Sequence, residues 1–509
     1  MLEDNSKYTR LALAWILGWT IFRLVYSAAF LLSPDETNYW QWGRHLAWGY
    51  HDQAPLLGWA IRLSTEIFGV NEFAVRLPSV LSMGVASAYL VLLAGRYFSG
   101  RVAVATALLT QGVLEFNVGG LLATCDGLQA MAWAGATWHG ARACEDHEWK
   151  QWLSTGFWFG FGLLSKFTMV IFGPGLLIYM IFSKEHRGRL ASIKPYAGVV
   201  FGLLMFAPVL YWNAAHGWNS ARHVAYIGGA GESFTLHFKY FGDLMGSQAA
   251  LLSPLVFILA LWAWIRVIKR DYNRRKWIIP LLFWTSFPMF AGFTLLSFHT
   301  RIYGNWPGAA YLGACVLAAA FFSNAKPRLW KWTLGISYAF TILVLVQVVF
   351  PILPLSPELD RPATELGGWD EIGEKAAAMQ AEMPDPDNTF LFGFRYQEAS
   401  ELAFYVPGRP ETVSINKWKR PNVYDYWWKD EDLLGMDAIG VSRHDNEVKK
   451  LRKVFESVSA PVPLELYRKK PFKAEPELVR TVYLYKAYGF KGGLRWEPPK
   501  GSKDIRKSS

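Results

Sequence analysis

The chain has 509 residues, of which 52% are hydrophobic, 16% aromatic and only 18% charged, a balance too apolar for an ordinary soluble protein of this size. Its net charge of +11 does not point to nucleic acid, because the basic residues cluster in short loops between apolar runs rather than on one soluble face. The three cysteines, Cys125, Cys144 and Cys315, lie in or beside apolar segments, so no disulfide framework is implied. These features predict a mainly α, polytopic membrane protein.

From the N-terminus, Lys7 and Arg10 precede the apolar run Leu11–Leu32. It is long enough to span and lacks a small-residue cleavage site, which predicts a retained first helix rather than a signal peptide. Directly after it, Ser33-Pro34-Asp35-Glu36 has the pattern of a helix start. Ser33 as N-cap, Pro34 at the first helical position and Glu36 three residues past the cap make a capping box. Asp35 has no part in that box. The helix dipole favours an acid at that place and keeps it ionised, as a general base must be to accept a proton. The first outer loop, Ser33 to about Arg76, then carries Tyr39, Trp40, Trp42, Trp48, Tyr50 and Trp59 among polar residues. This suits helices lying in the membrane interface, with simple anchoring as the reading for most of the rings.

Further apolar runs follow at Leu77–Leu93, Val102–Leu122, Gly127–Ala143, Trp152–Leu164, Phe167–Phe182, Tyr196–Asn213, Ala249–Ile268, Trp277–Ser297, Pro307–Phe322 and Trp332–Phe350. The total is about eleven spans. With the N-terminus inside, the inner loops hold Arg96 and Arg101; Arg142 and Lys150; Lys184, Arg187, Arg189 and Lys194; Lys269, Arg270, Arg274, Arg275 and Lys276; and Lys326, Arg328 and Lys331. The other side is much poorer in them, as the positive-inside rule requires. That face instead holds Asp35-Glu36, His51-Asp52, Asp126, Ser165-Lys166, Arg222-His223 and His299-Thr300-Arg301. Within the first span Arg23 needs a partner; Glu115 is the candidate, with Asn117 and Gln111 in the same interior polar set.

From Ser356 the chain turns polar and Pro-punctuated. Helices are expected at Gly367–Met383, Gln397–Tyr405 and Val448–Val458, and strands at Thr389–Phe394, Thr412–Ile415, Ala438–Ser442, Leu464–Arg468 and Val479–Tyr485. The alternation predicts a small α/β domain that handles substrate or stabilises the protein. The domains expected are therefore 1–355 in the membrane, 356–497 outside it, and a disordered tail, 498–509.

Asp35-Glu36, the stretch Trp48-Gly49-Tyr50-His51-Asp52-Gln53-Ala54-Pro55-Leu56, Asp126, Leu164-Ser165-Lys166-Phe167-Thr168, Tyr211-Trp212-Asn213 and Asn305-Trp306-Pro307 occur in one order and on one membrane side. As a set they resemble the bacterial branch of the protein O-mannosyltransferase-like glycosyltransferases, a GT-C group also similar to the aminoarabinose transferases that modify lipid A. The segment Tyr396–Tyr405 resembles that family's outer domain. Relatives often have His-Pro-Pro where this chain has Gln53-Ala54-Pro55, so that histidine's role does not transfer directly, although His51 lies close by.

The resemblance implies a GT-C fold with interfacial helices in the first outer loop and an outer C-terminal domain. It implies inverting transfer from a polyprenyl-phosphate-linked sugar to a hydroxyl of lipid A, another envelope glycan or a protein, in a bacterial inner membrane. The first acid of the Asp-Glu pair would be the base, which makes Asp35 and Glu36 the catalytic candidates. Lys166, Arg301 and His299 are the candidates for the donor phosphate, where cations stabilise a leaving group as charge develops. Snorkelling of Lys166 and simple flanking of a span by Arg301 are the structural alternatives. Asp126, His51, Asp52 and Asn305 would support the site or the acceptor; Asp126 either caps its helix or orients the helices carrying Asp35. Some relatives bind a divalent metal, but no ligand set with tight spacing identifies one here. The competing classes are a transporter or flippase of a lipid-linked sugar, which would place ionisable groups near the midplane and show repeats, and an assembly subunit, which would need no such constellation.

Overall fold

The computed structural model describes residues 2–230, 235–273, 275–419, 421–471 and 473–495; Arg274 and the tail expected from Pro498 lie outside that range. The described part of the first 350 residues is helical: α1 (Leu2–Tyr26), α2 (Pro34–Arg44), α3 (Leu56–Phe68), α4 (Glu72–Tyr97), α5 (Gly100–Gly112), α6 (Leu114–Leu121), α7 (Cys125–Asp146), α8 (Trp149–Ser165), α9 (Phe172–Phe182), α10 (Lys194–Ala215), α11 (Asn219–Ile227), α12 (Phe238–Leu252), α13 (Pro254–Ile268), α14 (Ile278–Trp284), α15 (Phe287–Leu296), α16 (Ala310–Phe322) and α17 (Pro327–Val349). Among the described residues, α4, α10, α14 with α15, and α17 are long and apolar enough to cross a membrane. The number rises to up to 6 if the bent pairs α5–α6 and α12–α13 each count as one span.

Both bends have a local cause. At the 67° turn between α5 and α6, the Asn117 side-chain amide donates to the Gln111 carbonyl (2.8 Å), which a continuous helix would have paired, and also to that of Val113 (2.9 Å). The run Ala249–Ile268, expected as one span, turns by 108°. Pro254 cannot continue a helix, and Ser253 before it takes φ 70°.

Helices α8 and α10 cross where only glycine fits: a Cβ on Gly156 would collide with the Gly198 carbonyl, and one on Gly160 would come within 2.7 Å of the Gly202 oxygen. Small residues four apart on both helices allow this close approach. Arg23, fully buried in α1, bonds not to Glu115 but to Asn117 Oδ1, through Nε (3.2 Å) and Nη2 (2.9 Å). A neutral amide that already caps the α5–α6 break thus replaces the expected ion pair.

The basic loops meet at one end of the bundle. Arg96 pairs with Glu145, Arg189 donates to the Glu145 carbonyl, Lys194 to that of His147 and Lys276 to that of Tyr97.

The C-terminal part adds α18 (Arg361–Leu366), α19 (Trp369–Ala381), β1 (Thr389–Gly393), α20 (Tyr396–Tyr405), β2 (Thr412–Ser414), β3 (Asp437–Ser442), α21 (Val448–Leu451), β4 (Phe455–Val458), β5 (Val462–Arg468) and β6 (Glu477–Phe490). The sheet order is β2-β1-β3-β6-β4, with β5 also on β6. β1 is parallel to β2 and β3 and antiparallel pairing begins at β6. Successive β1 residues serve opposite faces: Phe390 and Phe392 pack with Phe455 and Tyr485, whereas Leu391 packs with Trp369 and Leu402. The helix expected over Val448–Val458 stops at Leu451. Phe455 then pairs with Phe490 and Val458 with Ala487, because spacing that suits a helix is overridden by pairing to the long strand β6.

This domain sits on the first outer loop through α20. Phe404 meets the Trp40 ring edge-on at 5.0 Å, and Ala399 joins Trp42, Tyr50 and Tyr424 in one cluster. Several rings expected to anchor in the headgroups are therefore interior: Trp40, Trp42 and Tyr50 are buried, and the last two stack at 4.3 Å. Trp48 remains exposed.

Candidate active site

The two adjacent acids at the start of α2 have separate fates. Ser33 is extended (φ −81°, ψ 157°), and its N–H donates to Glu36 Oε2 at 2.8 Å. The same carboxylate receives Arg76 Nε and Nη2 (2.8 and 2.9 Å) and the Ala123 N–H (2.8 Å). Arg76 uses its other N–H groups on the carbonyls of Ser27, Phe30 and Leu31, just beyond α1. Both side chains are fully buried. Glu36 thus ties the end of α1, the start of α2, the first turns of α4 and the turn before α7 into one joint. Glu36, expected among the catalytic candidates, is enclosed by these donors and serves the joint.

One residue earlier on a helix is roughly 100° around the axis, and Asp35 is exposed. Its Oδ1 accepts from the Tyr396 hydroxyl at 3.2 Å. Tyr39, one turn along α2, lies within electrostatic reach of both Asp35 and Asp126. Burial, reinforced by Cys125, Asp35, Tyr396 and Asp126, holds its hydroxyl well above the usual tyrosine range.

Asp126, in the first turn of α7, makes no capping bond. Its Oδ1 accepts from Lys166 Nζ at 2.6 Å and its Oδ2 from Asn305 Nδ2 at 3.0 Å. The ion pair joins the start of α7 to the end of α8, and Asn305 brings in the turn before α16. Lys166 is 6% exposed, so it is drawn inward rather than snorkelling. Glu115, expected beside Arg23, instead presses on this turn, where a Cβ on Gly308 would come within 2.6 Å of its Oε1.

The remaining candidates divide. Arg301 is exposed, with its guanidinium 5.8 Å from the Tyr303 ring, on the strip of chain that Asn305 ties to Asp126. His299 reaches away from that strip, its Nε2 at 3.2 Å from the Gly229 carbonyl beyond α11. That contact holds a loop.

His51, Asp52 and His223 form a second cluster, their potential ligand atoms within 4.8 Å of one another. His223 Nε2 is 3.1 Å from Asp52 Oδ1, and His51 Nδ1 is 3.3 Å from the Tyr426 hydroxyl. Two imidazoles and a carboxylate are a donor set that suits a divalent ion such as zinc. His223 lies on α11, a short helix that a search for long apolar runs passes over. The Tyr426 hydroxyl also accepts from Asn219, and Ser220 donates to the Tyr50 carbonyl. Here α11, the first outer loop and the C-terminal domain meet.

The site thus holds an exposed carboxylate bonded by a tyrosine and a lysine–aspartate pair whose lysine is buried. This can take a proton from a hydroxyl and steady a departing anion. A family model described as dolichyl-phosphate-mannose-protein mannosyltransferase matches residues 52–212. Over 383 residues the chain is 26% identical to the lipid A galacturonosyltransferase RgtD of Rhizobium johnstonii, a match covering 73% of this chain and 78% of the relative. The crystal structure of ArnT from Cupriavidus metallidurans bound to undecaprenyl phosphate shares the fold, with TM-score 0.63 at 14% identity over 94% of this chain and 98% of that one. The archaeal oligosaccharyltransferase AglB from Archaeoglobus fulgidus gives 0.51 at 13% identity over 86% and 70%.

Proposed function

We propose that the chain is a membrane glycosyltransferase of the protein O-mannosyltransferase-like, ArnT-like GT-C kind, moving a sugar from a polyprenyl-phosphate-linked donor to a hydroxyl of lipid A or a related envelope acceptor. The carrying observation is the exposed Asp35 held by Tyr396 at the start of α2, together with the Lys166–Asp126–Asn305 set that ties the start of α7 and the end of α8 to the turn before α16. RgtD, named for action on lipid A, favours a glycolipid acceptor over a protein one. Asp35 takes the proton of the attacking hydroxyl as its oxygen bonds to the anomeric carbon. The carbon–oxygen bond to phosphate breaks on the opposite face, inverting the configuration and releasing polyprenyl phosphate.

Lys166 and Arg301 meet the phosphate. An ammonium has three N–H groups, so the bond to Asp126 fixes Lys166 without exhausting it. A contact to the departing phosphate strengthens as the bond breaks, so Lys166→Ala and Arg301→Ala should each weaken donor binding and slow cleavage. Normal donor affinity and turnover in both variants would remove them from the site. A divalent ion at His51, Asp52 and His223 would brace the first outer loop against α11, and no bond-making step is assigned to it.

The same reading places residues 1–355 in the membrane with about eleven crossings, residues 356–497 as the outer domain, the basic loops in the cytoplasm and the site on the outer face of the inner membrane. All three native cysteines are buried, which suits thiol labelling with single cysteines at Gly188, in a basic loop, and at Glu358, both exposed. An impermeant reagent should reach position 358 in intact spheroplasts and position 188 only after permeabilisation. The reverse pattern would invert the topology and remove the site from the outer face.

A further inference from the structure

The C-terminal domain is more than a cover: we propose that Tyr396, which it carries, is a positioning residue for Asp35, so that this domain completes the active site. The proposal rests on Asp35 being the base and adds what makes it competent. Tyr396 opens α20, and its hydroxyl donates to Asp35 Oδ1 at 3.2 Å. That bond depends on the seating of α20 on α2, which is fixed at both ends of the contact. At one end the Tyr405 hydroxyl accepts from the Leu32 N–H at 2.6 Å and donates to Glu72 at 3.2 Å. At the other, the Tyr424 hydroxyl meets Gln41 Nε2 at 3.2 Å and Ser400 Oγ at 2.9 Å, inside the cluster of Trp42, Tyr50 and Ala399. A helix held this way delivers its first residue to one place.

A hydroxyl donating to a carboxylate favours the ionised form and fixes the orientation of the accepting oxygen. A base needs both. Asp35 is felt by Tyr39 of α2 and by Glu401 of α20, while its chain neighbour Glu36, with Arg76, acts on Glu401 and Asp126 acts on Tyr39. Glu36 and Arg76 neutralise each other. Burial holds Glu401 well above the usual carboxylate range, and neither of its oxygens has a hydrogen-bond partner among the described residues. Tyr396 is thus a direct donor to Asp35 supplied from outside the membrane domain.

The test is Tyr396→Phe in the full-length protein, with polyprenyl-phosphate release followed across pH. Removing the donor disfavours the ionised carboxylate, so the acidic limb of kcat/KM should move up by roughly one pH unit and kcat should fall about tenfold, with donor affinity and thermal midpoint held. Tyr396→Gln, which restores a donor, should recover part of both. In an Asp35→Asn background, Tyr396→Phe should cost nothing further. An unmoved pH profile, or a loss of equal size in that background, overturns the Tyr396 assignment alone. Full turnover in Asp35→Asn by itself overturns the base reading and this proposal with it.

Discussion

Asp35→Asn should leave the protein folded and able to bind donor, yet lower turnover by about 10²–10⁴-fold, the usual contribution of a positioned general base. The attacking hydroxyl is a poor nucleophile at neutral pH until a carboxylate takes its proton. Asparagine keeps the size and still accepts from Tyr396, but it cannot accept that proton. Asp35 is exposed at the start of α2, and asparagine keeps its size and the Tyr396 contact, so the fold has little to lose. Monodispersity, donor binding and polyprenyl-phosphate release, measured on one preparation, decide the matter. Near-normal turnover would end the base assignment.

Glu36→Gln should show the opposite profile, failing in stability before it fails in chemistry. Four donors converge on the Glu36 carboxylate: Ser33 N–H, Ala123 N–H and two from Arg76. A glutamine would turn its NH2 group toward at least one of them and leave the Arg76 charge buried and uncompensated. Breaking a buried pair this way costs about 3–5 kcal/mol, a large part of what holds a domain together. The capping box would tolerate the change, since glutamine also serves at that position; the ion pair would not. The expected observation is a strongly lowered melting midpoint and yield in detergent, with Arg76→Met behaving alike. A Glu36→Gln protein that melts like wild type but has lost turnover would instead make the two acids a single catalytic unit.

These contrasting expectations show what was legible in the sequence. Ser33-Pro34-Asp35-Glu36 announces a helix start because capping is local, and the order of the motifs carries the glycosyltransferase fold. The capping box already set Glu36 apart from Asp35, but the ion pair that buries Glu36 was not legible, because it depends on Arg76, which in sequence only marks where a span begins. Asp126, Lys166 and Asn305 could be named one by one, while their bonding required the starts and ends of three helices to be brought together. His51-Asp52 and His223 were both legible on the outer face, but not as one cluster, because that needs α11 folded against the first outer loop. The turn at Ser253-Pro254 was hidden by unbroken apolar character, although the proline was the available warning. The role of the C-terminal domain was the least visible, since Tyr396 gains its meaning only where α20 rests on α2.

The most direct test of the central claim is to incubate the purified protein with a polyprenyl-phosphate-linked sugar and lipid A, then follow both lipids by mass spectrometry. A glycosyltransferase releases polyprenyl phosphate and adds one sugar mass to the acceptor, and the account predicts both together. Donor that is carried across a proteoliposome membrane intact, with no polyprenyl phosphate released under any acceptor tried, would contradict it and make the protein a transporter of the lipid-linked sugar.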